Sequence, residues 1–324
     1  PVKILCVLGL FTAITSSFLD NVTTVILVMP ITFVIAKTLE LDPIPFLITE
    51  IVSSNIGGTA TLIGDPPNII IGSAGGLSFM DFIKELTPII AIILVAVIIV
   101  LSFIFKKKLH ANPEKMAEIS NIDNSHTITD KSLMIRSTIT LGLVILGFMT
   151  HDITHISTCV AAMFGAAFLL VFEKPSEIFK EVEWNTIFFF VGLFIIIGGL
   201  EATGGIRLMA EWIIKVTQGS QAATSMLVLW ASGLISGIID NIPYTATMAP
   251  MLVEIKKTMG ATYTYPLWWA LSLGACLGGN LTIIGAAANV IVSENARKEG
   301  HFISFMEYLK YGTIVVLISL VLST

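Results

Sequence analysis

The chain of 324 residues is 55% hydrophobic and only 13% charged, with a mean hydropathy of +0.89, whereas soluble domains carry roughly twice that charged fraction. It reads as a polytopic membrane protein. A formal net charge of -5, spread thinly with no long basic run, excludes a nucleic-acid binder, and the three cysteines, Cys6, Cys159 and Cys276, lie too far apart for a disulfide framework or metal motif and read as core packing.

The first segment, 4–36, is apolar at both ends and polar at its tip, Asp20-Asn21-Val22-Thr23-Thr24. Its arms of about 15 and 12 residues reach roughly 18 to 22 Å, short of a hydrocarbon core about 30 Å thick. That length predicts a re-entrant hairpin, which enters the membrane, turns near its middle and leaves on the same side. Residues 45–72 are long enough to cross, but "NIGGTATLIGDPPN" interrupts them; glycine pairs and a double proline unwind a helix and free its amides and carbonyls. A plain helix is predicted at 84–105, followed by a polar cytosolic linker at 107–132. Plain helices follow at 134–150, 155–172 and 184–200. A second hairpin at 222–255 turns around Asp240-Asn241-Ile242-Pro243-Tyr244, a second broken helix at 265–293 is interrupted by "LGGNLTIIGAAAN", and a plain helix at 305–323 closes the chain. The fold class is all-α, polytopic, membrane-embedded.

These pieces repeat. Asp20, Asn21 and Pro30 recur as Asp240, Asn241 and Pro250 at a separation of 220, while Gly57, Gly58, Thr61, Gly64 and Asn68 recur as Gly278, Gly279, Thr282, Gly285 and Asn289 at 221. Each unit reads re-entrant hairpin, broken helix, plain helix, with the first repeat at 1–106 and the second at 133–324. Three plain spans between the first unit and the second hairpin place the hairpins on opposite faces, so the repeats are inverted. Of the 18 Lys and Arg residues, thirteen fall on the first hairpin's side, which the positive-inside rule makes the cytoplasmic face of the plasma membrane. The second half has three helices before its hairpin and the first has none, and residue 1 is Pro rather than Met. These observations lead to the expectation that the sequence is a fragment lacking N-terminal helices.

An unsatisfied polar group in hydrocarbon costs several kcal/mol, so the polar tips need a reason. Broken helix ends brought to the midplane offer amides, carbonyls and dipole ends that bind an ion or small polar solute. Asp20 and Asp240 are expected to cap the returning arm of each hairpin and to face that cavity; Asn21, Thr23, Thr24, Asn241 and Thr245 would supply neutral ligands. The plain alternative is that the Asp-Asn pairs only cap. Gly57, Gly58, Gly278 and Gly279 serve unwinding or close packing, and Asn68 and Asn289 either ligate solute or cap the next half-helix. Asp65-Pro66-Pro67 is replaced by Ala286-Ala287-Ala288 in the second repeat, so Asp65 is an extra ionisable group or a cap. No Lys or Arg falls within 16–35, 51–72, 232–252 or 270–293, so sodium or protons would have to neutralise the carboxylates. The same absence removes the arginine clamp that a multivalent anion attracts, which favours a neutral oxyacid, a monovalent anion or sodium. The turn holding His151, Asp152 and His155 reads as solvated, Glu50 and Glu201 as interfacial, and Phe188, Phe189 and Phe190 as lipid-facing or packed core.

The stretches "LDNVTTVILVMPIT", "NIGGTATLIGDPPN", "DNIPYTATMAPML" and "LGACLGGNLTIIGAAANV" resemble the ion transporter superfamily, in the branch of arsenite permeases, NhaD-type sodium/proton antiporters and the melanosomal P protein. The resemblance covers nearly the whole chain apart from the linker. It implies a scaffold domain and a moving transport domain, usually in a homodimer, working by elevator-type alternating access. It also implies binding by Asp20 to Thr24, Gly57 to Asn68 with Thr59 among them, Asp240 to Thr245, and Gly278 to Asn289 with Asn280 among them. Relatives move arsenite, sodium, citrate, dicarboxylates, silicate or chloride, and the tip Asp-Asn-Val-Thr-Thr departs from the Ser-Asn-Thr signature of dicarboxylate members. The function expected is secondary active transport of a small inorganic ion or oxyanion such as arsenite, coupled to sodium or protons, with no cofactor and no enzymatic step. Sodium/proton antiport and citrate, dicarboxylate or chloride transport are the alternatives. From other classes, a passive channel would show current without coupling to a gradient. An intramembrane aspartyl protease needs Tyr-Asp and Gly-x-Gly-Asp, whereas here Leu19 precedes Asp20 and Leu62 stands where the first glycine before Asp65 should be.

Overall fold

A computed structural model describes residues 1–109, 130–172, 178–180, 182 and 184–324, apart from the side chain of Asp152; most of the expected linker, 110–129, lies outside the described residues. Every regular element among them is helical. The first half comprises α1 (Val2–Ser16), α2 (Asn21–Leu39), α3 (Ile44–Thr59), α4 (Pro66–Gly75), α5 (Phe79–Glu85) and α6 (Thr87–Phe105). Then come α7 (Lys131–Met149), α8 (His151–Thr154), α9 (Thr158–Leu170), α10 (Trp184–Ala202) and α11 (Gly205–Val216). The second hairpin and its sequel are α12 (Gln221–Ile239), α13 (Asn241–Met259), α14 (Ala261–Gly278), a 3-10 turn at Ile283–Gly285, α15 (Ala287–Lys298) and α16 (Phe305–Leu322). Six of these, α2, α6, α7, α10, α12 and α16, are long and apolar enough to cross a membrane.

The two interrupted helices form the core. In α3 every residue from Pro45 to Thr59 is buried, and in α14 every residue from Leu267 to Gly278. By contrast, α10 buries only Ile197 and turns Phe188, Ile195 and Ile196 outward, the pattern of a helix solvated by lipid.

Each hairpin is anchored to its neighbouring broken helix by the same contacts in both halves. The Ser16 hydroxyl meets the Ser54 carbonyl at 2.8 Å, and Ser236, 220 residues on, meets Ala275 at 3.0 Å. Thr61 donates to the Ser17 carbonyl and Thr282 to that of Gly237 at 2.6 Å. A Cβ on Gly57 would overlap the backbone of Ala13, and one on Gly278 the backbone of Gly233. These pairs match the C-terminal end of α1 with that of α3, and of α12 with that of α14. The outgoing arm of each hairpin therefore runs parallel to its broken helix, and the tip sits level with the break.

Several expectations need correction. The returning arm of the first hairpin is 19 residues, not about 12, and spans roughly 28 Å. Asn21 to Thr24 form its first turn rather than a loop, because Asp20 caps it, accepting from the Thr23 amide at 2.9 Å. Arm length alone would let α2 cross; what holds its start at mid-molecule is contact with the break. The plain helix expected at 84–105 runs Thr87–Phe105, and Leu86 parts it from α5, a short helix that was not anticipated and begins with a reciprocal Ser78–Asp81 capping box. The helix expected at 155–172 shortens to Thr158–Leu170, capped by Ser157. Helix α11 was not anticipated, although Ile206, Ala210 and Ile213, its buried face, recur with helical spacing. Cys159 is exposed on α9 rather than packed in a core.

The glycine contacts generate a stability prediction. Gly57→Ala should lower stability by roughly 1–3 kcal/mol, as overpacking does. Gly142→Ala, with nothing within 4 Å of the added carbon, should be neutral or gain up to about 1 kcal/mol in its helix. Thermal unfolding in detergent measures both, and equal melting points would remove the close packing of α1 on α3.

Candidate functional site

Both hairpin tips and both breaks meet at one cavity of about 500 Å³. Four helices begin on its wall: α2 at Asp20 to Val22, α4 at Asp65 and Pro66, α13 at Asp240 to Ile242, and α15 at Ala286 to Ala288. The fifth side is supplied by α10 through Asn185, Thr186 and Phe189. Three carboxyls line the cavity, and among the described residues no Lys, Arg or His does. A hollow of similar size, about 490 Å³, lies between α7 and α9, but its wall is Leu143, Val144, Phe164, Phe168 and their small neighbours, with no ionisable group. Such a surface suits an acyl chain rather than an ion.

The three carboxyls are held differently. Asp20 accepts from both the amide and the hydroxyl of Thr23, and Asp240 accepts from the Ile242 amide at 2.9 Å. Each therefore caps its own helix while lining the cavity. Asp240 does so at φ +97°, a conformation that costs a side-chain-bearing residue about 1–3 kcal/mol and persists where the surroundings over-determine it. Asp65 behaves otherwise. It stands at the N-terminus of α4, yet its side chain makes no capping bond, because Pro66 and Pro67 have no N–H to cap and the next amide, Asn68, bonds the Asp65 carbonyl at 2.9 Å. The capping explanation of Asp65 is thereby overturned. Its carboxyl, 1% exposed, instead meets Asn241 Nδ2 of the opposite hairpin tip at 3.4 Å.

Behind the wall lies the bracing of the unwound segments. Asn68 Nδ2 donates to the carbonyls of Thr59 and Thr61 at 3.1 and 2.8 Å, and Asn289 Nδ2 to those of Gly279 and Thr282 at 2.7 and 2.8 Å. Each carboxamide thus clasps carbonyls that the break sets free. The clasps are oriented from across the molecule: Asn68 Oδ1 accepts from Ser272 at 2.6 Å and from Cys276, while Asn289 Oδ1 accepts from Asn55 Nδ2 at 2.9 Å. At a separation of 221, Asn55 and Cys276 are equivalent positions, so each half steadies the other's break in the same way.

The sequence-predicted residues therefore divide. Asp20, Asn21, Asp65, Asp240 and Asn241 come together on the cavity wall. Thr23 is engaged with Asp20; Thr24 and Thr245 are buried behind it with hydroxyls that bond no other described residue. Gly58 is a point of close approach, since a Cβ there would overlap Asn21 Oδ1. Gly57, Thr59, Asn68, Gly278, Gly279, Asn280 and Asn289 are not wall residues, and the carboxamides of Asn68 and Asn289 clasp backbone carbonyls. Asn280 Oδ1 accepts from Asn55 at 2.9 Å. Asn55 heads the first interrupting motif and went unremarked; Asn185 and Thr186 gave no signal beyond being polar at the start of an apolar helix. Phe189 lines the cavity, which corrects its reading as lipid-facing or core. Glu50 is not interfacial but fully buried in the middle of α3, accepting from the Thr32 hydroxyl. His151 Nδ1 meets the Ile156 carbonyl at 2.6 Å in a turn where His155 is exposed.

Comparison with known proteins was made against this geometry. The sequence profile of a citrate transporter family matches residues 1–274. An uncharacterized transporter of Mycobacterium tuberculosis is 43% identical over 326 residues, covering 100% of this chain and 76% of the relative. A 46 kDa membrane protein of Mycobacterium leprae is 42% identical with the same coverage. The P protein of Mus musculus is 32% identical over 392 residues, covering 96% of this chain and 47% of that protein.

The clasps yield a second prediction. Asn68→Ala and Asn289→Ala each strand two buried carbonyls at about 1–3 kcal/mol apiece, so each should melt well below wild type in detergent. Wild-type melting of both variants would show that the breaks need no clasp.

Proposed function

The chain belongs to the citrate transporter family, a family of multi-pass membrane transporters, and on that premise we propose that it is a secondary active permease for a small inorganic ion or oxyanion such as arsenite, coupled to sodium or protons. The cavity at the two tips and two breaks is its binding site. Its hairpins are re-entrant and enter from opposite faces, the first from the cytoplasm; 1–106 and 133–324 are inverted repeats joined by a cytosolic linker at 107–132. Support for the re-entrant reading is that both tips lie level with helix breaks. The protein is a homodimer whose transport domain moves against a scaffold, a reading that the superfamily resemblance supports. Membership of a transporter family removes the protease alternative.

One observation carries the coupling. The cavity wall holds Asp20, Asp65 and Asp240 with no basic residue among those described, and carboxylates removed from water must be neutralised by a cation or a proton. The wall is also polarised. Asp20 and Asp240 cancel the positive ends of α2 and α13, and the prolines strip the start of α4 of donors. Ala286 provides no side-chain cap for α15, so the first amides of that 12-residue helix are left to polarise the cavity. The cavity therefore offers an anion-preferring corner at α15 and a cation-preferring corner at Asp65. A solute oxygen at the first and a coupling ion at the second use both. Citrate, with up to three negative charges, would face three carboxyls without an arginine, which places it behind arsenite, a monovalent anion and sodium itself. Sodium/proton antiport is the second reading, favoured by the acidic wall alone.

Uptake and efflux of arsenite, sodium, chloride and citrate in proteoliposomes, with and without sodium and proton gradients, tests this directly. Transport indifferent to both gradients would sink the coupling, and saturable citrate transport alone would overturn the substrate order. Asp65→Asn should abolish coupled transport while the protein stays folded, and Ala286→Asp on that background should not restore it. A wild-type rate and pH profile for Asp65→Asn would remove this carboxyl from the mechanism.

A further inference from the structure

Outside the cavity, one carboxyl has no structural employment. Glu50 lies nine residues before the end of α3, about 14 Å along the helix axis, and is not part of the cavity wall. It is 0% exposed; Oε1 accepts from the Thr32 hydroxyl, and Oε2 has no hydrogen-bond partner among the described residues.

Nothing packed against α3 neutralises it. The helices packed most closely against α3 are α1, α2, α6, α14, α15 and α16. Of these, α6 and α14 carry no Asp, Glu, Lys, Arg or His. The charged residues of the others, Lys3, Lys37, Glu294, Arg297, Lys298 and Lys310, are exposed, and Glu307 pairs with Lys108. The remaining titratable side chains on them are Cys6, Tyr263, Tyr265, Cys276, Tyr308 and Tyr311; none is hydrogen-bonded to Glu50, and among the described residues no ion pair includes it.

The fold does not require this polar pair. The separations that align the halves, 220 for the hairpins and 221 for the broken helices, set Leu252 against Thr32 and Leu271 against Glu50. Both leucines are fully buried. The second repeat thus builds the same helices with hydrocarbon where the first places a carboxyl and its hydroxyl partner. A buried, half-satisfied polar group costs stability that a leucine would not, so its presence points to a task.

We propose that Glu50 is a second proton site of the transporter, separate from the cavity, whose carboxylate takes a proton from water when the α2–α3 interface opens and returns it when the interface opens again. A hard metal cation would gather six or more oxygens, whereas a single hydroxyl, that of Thr32, is hydrogen-bonded to Glu50 among the described residues, so the ion is a proton. Its part in the transport cycle rests on the transport reading above; its proton binding does not.

Infrared difference spectroscopy across pH steps, on the full chain in lipid nanodiscs, tests the binding without any solute. Wild type should show the carbonyl band of a neutral carboxylic acid giving way to carboxylate as pH rises. Glu50→Gln should lose that band, and Asp65→Asn should keep it. The double variant Thr32→Leu/Glu50→Leu, which installs the second repeat's residues, should also lose it while melting no lower than wild type. An unchanged spectrum in Glu50→Gln, or a Glu50 band that no pH step moves, would overturn the proposal. In proteoliposomes, whichever of arsenite, sodium, chloride or citrate the wild type carries, Glu50→Gln should flatten the pH dependence of its transport; a retained wild-type profile would deny Glu50 a part in the cycle. Failure of wild type to carry any of the four would fell the transport reading and leave the infrared result standing.

Discussion

A helix interrupted inside hydrocarbon leaves amides and carbonyls that no solvent will satisfy. The architecture around the cavity follows from how those groups find partners. Asn68 and Asn289 take two carbonyls each across the unwound stretches, and Thr61 and Thr282 tie those stretches to the hairpin tips. Paired glycines let the arms approach closely enough for the ties to form. With the backbone settled in this way, Asp65 lines the cavity without capping a helix, while Asp20 and Asp240 line it and cap at once.

Bracing is duplicated between the halves, whereas chemistry is not. Equivalent serines, threonines, glycines and asparagines make equivalent contacts at separations of 220 and 221. Among the many positions at which the halves differ, two concern buried carboxyls: Asp65 stands against Ala286, and Thr32 with Glu50 against Leu252 with Leu271. The asymmetry also gives the cavity its polarity, an uncapped helix start on one side and a carboxyl that caps no helix on the other.

Much of this was legible in the sequence because its strongest signals are local. Glycine pairs, a double proline and Asp-Asn at a turn act within a few residues, and they located both hairpins, both breaks and the repeat. The length of the first hairpin's returning arm was misjudged because polar residues in a capped first turn look like loop. Glu50 was misplaced at an interface since hydropathy registers a carboxyl as an end, without sensing that α3 is buried along its length. The role of Asn68 and Asn289 was beyond reach, because a clasp and a ligand demand the same side chain and only position behind the wall separates them. Likewise, Asn185, Thr186 and Phe189 reach the cavity by a contact between distant segments that no periodicity encodes.

The crossed support of the clasps has a consequence for biosynthesis. Asn68 is oriented by Ser272 and Cys276, 204 and 208 residues further along the chain. At translation rates of about 5–20 residues per second, that interval lasts on the order of 10–40 s. Throughout it the first broken helix sits in the membrane with its carboxamide unoriented and its partner helix unmade. The first break therefore gains its orienting partners only once the second half has been made, whereas Asn289 finds Asn55 already in the chain when it arrives.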